Sequence, residues 1–231
     1  MRNRIGRRLL SASEFVRQDA YLADIGTDHA YLPLFLLDMG RISRAVCADI
    51  NQGPLDNAER NARELGLEDK ITFILTDGAV GLSDKGITDY AVCGMGGELI
   101  ADIIEASPHL KDKGVRLILQ PMSRQAHLRK YLAENGFFTV GESYSEDAGK
   151  YYVCFAVEYD GIRRDISDVD AELGSLATPR VNFTPEEEGY LKGKLTAFER
   201  AARGKARSGE ENSYEARVLK EYRERNKCRE R

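Results

Sequence analysis

Three features of this 231-residue sequence predict an α/β domain with a helical appendage. Short apolar runs alternate with helical patterns over 21–159, acidic residues and glycines recur at the ends of those runs, and purely helical patterning takes over after about 180. Alternation of this kind is the signature of βαβ units and a parallel sheet.

The predicted strands are 21–25, 45–49, 71–76, 90–93, 116–120, 137–143 and 151–157. The first five are short, apolar and each followed by a helical pattern. Pro33 and Pro54 fall in first helical turns, where a missing N–H is tolerated, and Gly40 and Gly66 stand at C-caps. Leu55, Ala58, Ala62 and Leu65 recur at three- and four-residue steps and form one buried stripe. A further helix is expected from a Ser123 cap to Asn135-Gly136. The last two strands are separated by only about seven residues, around 146–150, so they pair as an antiparallel hairpin. The expectation is a seven-stranded Rossmann-like sheet of the methyltransferase type, parallel except for an antiparallel last strand.

Residues 161–180 read as irregular. Thr184-Pro185-Glu186-Glu187 then offers a capping box with proline at the first helical position. Leu191, Leu195, Phe198 and Ala202 form one stripe, and Tyr214, Val218 and Tyr222 a second, with a turn near 208–212. A helical hairpin follows, weakened by Gly189, Gly193 and Gly204 at about 1 kcal/mol each. The expected organisation is one domain over 1–160 and a linker with a helical hairpin over 161–231.

Composition narrows the function classes. Hydrophobic residues make up 42% and charged residues 31%, with no apolar run long enough to span a bilayer. Only Leu9 and Leu10 follow the basic start, too little for a signal peptide, so a cytoplasmic protein is expected. Cys47, Cys93, Cys154 and Cys228 form no paired motif, which argues against a disulfide framework or a metal site. The net charge of −4 hides an uneven distribution: residues 1–8 carry +4 and 191–231 carry +6, around an acidic body. Basic ends on an acidic body suit a polyanion held at the periphery, or are simply solvated segments.

The first strand runs into Asp24-Ile25-Gly26-Thr27-Asp28-His29-Ala30-Tyr31. An acid, a spacer and a glycine at a strand's carboxyl end bring a backbone turn against a ligand in the sheet crevice. The later glycines of a dinucleotide fingerprint are replaced by Asp28 and Ala30, so a pyrophosphate would meet a carboxylate. S-adenosylmethionine has no phosphate and carries a sulfonium, and it fits this chemistry better. Asp49 stands 23 residues after Gly26, the spacing at which an acid reaches ribose hydroxyls, and Asp77 follows the third strand, where a carboxylate can accept from an adenine amino group. Either alone reads equally as a cap or loop residue. Three acids at three successive strand ends point to a ligand.

The fourth strand enters Cys93-Gly94-Met95-Gly96-Gly97, whose glycines let a target base approach the donor beside the soft Met95 side chain. The loop lacks the Pro-Pro-aromatic string of amino-methylating enzymes. Gln120-Pro121-Met122 ends the fifth strand with an amide, and Gly149-Lys150-Tyr151-Tyr152 adds a cation and rings that strand packing explains equally well.

Taken in order, Asp24 to Pro33, Cys93 to Gly97, Leu119-Gln120-Pro121 and Ala148 to Tyr152 resemble the bacterial TrmK family of tRNA adenine-N1 methyltransferases, over roughly residues 8–159. Met122 departs from the asparagine expected after Gln-Pro. The resemblance implies S-adenosylmethionine as cofactor, tRNA as partner, adenine 22 as target and a C-terminal coiled-coil domain, matching the helical hairpin. It implies no metal, and a monomer is expected. Asp24, Gly26, Asp49, Asp77 and Gly94 are then candidate cofactor-binding residues, and Asp28, His29 and Met95 candidate catalytic residues. Gln120, Lys150, Tyr151, Arg7 and Arg8 are candidate substrate-binding residues, with Arg4 and the hairpin cations Lys205, Arg207, Arg217 and Lys220 as further phosphate contacts. Adenine N1 has a lone pair, so methyl transfer is direct and rests on placement and on carboxylates near developing positive charge. An N1 engaged in a base pair must first be flipped out or unpaired. Two other readings stand beside this one: a cysteine-dependent C5 pyrimidine methyltransferase using Cys93, and a non-catalytic RNA-binding protein on the same fold.

Overall fold

The computed structural model describes residues 5–180 and 182–227; Arg2, Arg4 and Cys228 lie outside them. Seven strands form one sheet in the order β3-β2-β1-β4-β5-β7-β6. They are β1 (Leu22–Ile25), β2 (Ala45–Asp49), β3 (Ile71–Leu75), β4 (Asp89–Gly96), β5 (Arg116–Ser123), β6 (Phe137–Asp147) and β7 (Lys150–Tyr159). β1 to β5 pair in parallel, and β7 runs antiparallel to both β5 and β6.

Helices α1 (Arg7–Ser13), α2 (Tyr31–Asp38) and α3 (Gln52–Glu64) cover one face, and α4 (Gly97–Glu105), α5 (Gln125–Glu134) and α6 (Asp168–Leu173) the other. Strand alternation divides the core accordingly. Leu22, Cys47, Ala91, Ile118 and Cys154 pack toward the first face, whereas Ala23, Val46, Val92, Leu119 and Phe155 pack toward the second. By the same alternation Asp24, Cys93 and Gln120 point to the α1–α2 face at the carboxyl edge of the sheet, where the parallel strands end together.

Several sequence expectations need correction. The hairpin loop is a two-residue turn, with Ala148 at φ 50 and Gly149 at φ 76, and not seven residues long. Positive φ at both positions matches the twist of the paired strands; residues 144–147 read as loop because this mostly polar stretch is largely half-exposed. Ser123 belongs to β5, and Arg124, at φ 57, precedes the first turn of α5. The 161–180 segment is ordered by α6, capped by the Ser167 hydroxyl, and by a short turn that buries Leu176 and Ala177.

The C-terminal hairpin comprises α7 (Pro185–Arg207), with the Thr184–Glu187 capping box in place, and α8 (Tyr214–Asn226). Its two helices pack together, and its base is part of the main core, which includes Tyr190, Leu191 and Val218.

Candidate active site

Gly26, at φ 73, turns the chain at the end of β1, and its N–H donates to the Ala48 carbonyl of β2 at 2.8 Å. A Cβ at Gly26 would stand 2.0 Å from the Met95 methyl, so the close approach of Met95 requires glycine there. Next to this turn lies a cleft of 340 Å³ lined by Arg8, Asp24, Gly26, Thr27, Asp28, His29, Cys93 and Gly94, among others.

Asp24 is buried, and the Thr27 hydroxyl donates to its Oδ2 at 2.7 Å. Burial pushes its carboxyl up to about 6; the Thr27 bond and the Arg8 guanidinium pull it down, and Asp49 pushes it up. Thr27 Oγ1 also receives the Ala30 N–H at 3.2 Å, at a residue held at φ 54 where α2 begins. One hydroxyl therefore fixes both the acid and the turn. Asp28 is exposed, its Oδ2 lies 3.2 Å from His29 Nε2, and the His29 ring stacks on Tyr31 with centroids 5.1 Å apart.

Asp49 ends β2 half-exposed. Its Oδ1 accepts the Asn51 N–H at 2.8 Å. Asp77 is exposed just beyond β3. Ile50 and Leu75 are also exposed there, giving this edge apolar surface beside two carboxylates.

β4 carries an irregularity where Gly94 adopts φ 86. Its N–H donates to Gln120 Oε1 at 3.1 Å, and the Arg8 guanidinium donates to the same oxygen. The two sequence-predicted substrate residues Gln120 and Arg8 thus meet each other. Gln120 has no exposed surface and braces Gly94 and Arg8 from beneath; Arg8 itself lines the cleft. Arg7, on the outer side of α1, is exposed, with Glu146 3.9 Å away. Sequence reasoning missed the Arg8–Gln120–Gly94 arrangement because it joins residues 112 positions apart, and no helix was assigned at 7–13.

Burial, followed by nearby Asp24, pushes the Cys93 thiol up to about 12. The thiol is therefore protonated at neutral pH, the wrong form for the nucleophile of a C5 methyltransferase.

Lys150 and Tyr151 lie elsewhere. With Pro121, Met122, Gln125 and Gly189 they line a separate 450 Å³ cleft between the β5 end, the β7 start and α7. An apolar cavity of 430 Å³, lined by Arg129, Phe137 and Ile166 among others, is remote from all the strand-end acids. Two of the four hairpin cations are engaged: Lys205 pairs with Glu215 at 2.9 Å, and an Arg217 N–H donates to the Asn212 carbonyl at 3.1 Å.

The sequence of residues 5–155 matches the family model described as "Methyltransferase domain". The chain is 35% identical over 167 residues, 69% of its own length and 70% of the relative's, to tRNA (adenine(22)-N(1))-methyltransferase of Bacillus subtilis. The chain belongs to this family of tRNA methyltransferases. Structural similarity to the family extends past residue 155 into the hairpin. A Streptococcus pneumoniae protein solved in complex with S-adenosyl-L-methionine superimposes with a TM-score of 0.80 at 32% identity, covering 94% of this chain and 99% of that one. TrmK of B. subtilis gives 0.77 at 26% identity, covering 97% and 96%.

The residues present fit S-adenosylmethionine, the cofactor of this family. The buried Asp24 carboxylate faces a cleft that also offers the Arg8 guanidinium, an opposite charge on either side for an amino-acid group. Asp49, close enough to Asp24 to raise its carboxyl, and the exposed Ile50 and Leu75 offer a carboxylate and apolar surface suited to a nucleoside. No helix among the described residues is long and apolar enough to cross a membrane.

Proposed function

We propose that this chain methylates N1 of adenine 22 in tRNA, acting in the cytoplasm. The observation that carries the reading is the cleft itself: a buried acid, a glycine turn and an arginine brought together at the carboxyl edge of a sheet whose sequence is that of the family. In this reading Asp24 takes the donor's ammonium, Arg8 its carboxylate, Asp49 the ribose and Asp77 the adenine amino group. Gly94 and Met95 form the wall past which the target base approaches, with Gln120 holding Gly94 in place. Asp28 and His29 stand at the outer rim, where a carboxylate favours the positive charge that grows on the methylated base.

When bound, S-adenosylmethionine supplies a methyl group that an adenine N1 lone pair accepts without prior loss of a proton. The protein's task is therefore placement of the base, which is worth about 7–11 kcal/mol in favourable cases. Residues 1–160 carry the chemistry and also meet the RNA, where Arg7, exposed and weakly paired, contributes a phosphate contact. The test is nucleoside mass spectrometry with primer-extension mapping on a tRNA mixture incubated with and without the enzyme. A new N1-methyladenosine at position 22 is expected; 5-methylcytidine, or no methylated nucleoside, would overturn the reading.

A further inference from the structure

The Lys150–Tyr151 cleft continues into a second hollow. The first, of 450 Å³, is lined by Met122, Gln125, Lys150, Tyr151, Gly189 and Gly193, among others. The second, of 430 Å³, shares Gln125 and Lys194 with it and is lined also by Arg124, His127 and Lys130. Together they form one trench between the sheet's carboxyl edge and α7.

Three observations say what the trench accommodates. First, it lies beside the active site, with Gln120 between the two clefts. Gln120 braces Gly94 in the donor cleft, and its amide nitrogen lies 3.6 Å from the sulfur of Met122 in the trench wall. Strand residues advance about 3.4 Å each, so the trench opens about 7 Å along β5 from Gln120. Second, it sets an unpaired lysine beside an exposed aromatic ring. Lys150 has no ion-pair partner among the described residues, and Tyr151 exposes 43% of its surface. The other basic groups are balanced by carboxylates: Arg124 by Glu98 at 3.5 Å, Lys130 by Asp168 at 2.5 Å and Lys194 by Glu172 at 3.1 Å. Third, α7 presents no side chains to the upper trench at two positions. A Cβ on Gly189 would stand 2.1 Å from the Tyr151 ring, and Gly193 faces open space. Interior glycines weaken a helix by about 1 kcal/mol each relative to alanine, so α7 gives up helix stability at Gly189 to seat one side of the Tyr151 ring and at Gly193 to leave the trench open.

Cations beside exposed rings in an open groove are the means by which proteins hold single-stranded nucleic acid. We infer that the trench seats the RNA strand flanking the target adenine, with Tyr151, backed by Gly189, as a stacking platform, Lys150 on a phosphate, and Gly193 keeping the channel open. This rests on the tRNA reading above and moves the RNA grip from the hairpin's outer cations to its inner face.

Gly193→Leu fills the trench, while Gly204→Leu makes the same change on α7 where nothing lies within 4 Å of the added Cβ and outside the trench lining. Measured by methyl transfer to tRNA transcript, KM should rise tenfold or more for Gly193→Leu and stay at the wild-type value for Gly204→Leu, with S-adenosylmethionine affinity and Tm kept in both. Lys150→Gln decides the matter independently of that variant's folding: the slope of log K against log salt should become shallower by about one. Wild-type KM in Gly193→Leu, or an unchanged salt slope in Lys150→Gln, overturns the trench while leaving the tRNA reading intact. A wild-type enzyme that methylates no tRNA removes that reading itself.

Discussion

Asp24 is charged in the working enzyme against the penalty of its own burial. Its folded-state value of about 6 lies above the 3.8 of an exposed carboxyl. The folded protein therefore retains a proton that the unfolded chain releases between about pH 4 and 6. The associated stability is fully present below pH 4 and is lost as the pH rises through 6, on the order of 3 kcal/mol. Asp24→Asn should accordingly raise Tm at pH 7.5, leave it little changed near pH 4, and weaken S-adenosylmethionine binding at least tenfold by calorimetry. A variant less stable than wild type at pH 7.5 would show the carboxylate to be a structural group. The neighbouring Cys93 has the opposite standing, since its thiol is held up near 12 and no step uses it. Cys93→Ser should keep most of the turnover, and an inert variant that still binds both substrates would revive thiolate chemistry.

Among the elements, β6 and α5 are joined by the Arg129–Glu142 pair, both side chains almost wholly buried and 2.9 Å apart. Burial works against the Glu142 charge, but Arg129, the Ser175 N–H and the Tyr144 hydroxyl together hold its carboxyl below the usual value. Arg129 also donates to the Ala171 carbonyl of α6 at 2.9 Å. The pair thus fixes the connector that delivers the chain to α7, and so the far wall of the trench. Arg129→Met leaves a buried carboxylate unpaired and should lose about 3–5 kcal/mol of stability, whereas the double variant Arg129→Met with Glu142→Leu should lose less. Urea denaturation of the two proteins checks this, and equal losses would show that the pair is not coupled. None of this was legible in a segment that reads as irregular, because its order comes from partners 33 to 42 residues away.

For the whole molecule, the hairpin is not a free appendage. Tyr190, Leu191 and Val218 are buried in the same core as β4, β5 and β7. Fully burying a Val- or Leu-sized side chain is worth about 1.5–3 kcal/mol, so removal of residues 182–231 should cost on the order of 6 kcal/mol out of a typical 5–15. The truncated protein should melt far below the full chain and bind S-adenosylmethionine poorly. A truncation that keeps the wild-type Tm would show that the core closes without the hairpin.

The sequence by itself determined the seven strands, their parallel order with a reversed end, the capped helical hairpin and the acids at three strand ends. Those features are local: period, punctuation and spacing are written in neighbouring residues. It also placed Asp24, Gly26, Asp28, His29, Asp49 and Gly94 along the edge where the structure brings them. Only the tertiary structure decided that Arg8 turns inward to the cleft, that Gln120 lies beneath it, and that Lys150 and Tyr151 face α7 across a second cleft. Each of these depends on which surfaces meet after folding. A helix that packs 112 residues away from its partner leaves no periodic trace, and a strand end reveals its edge but not the helix that will stand across from it.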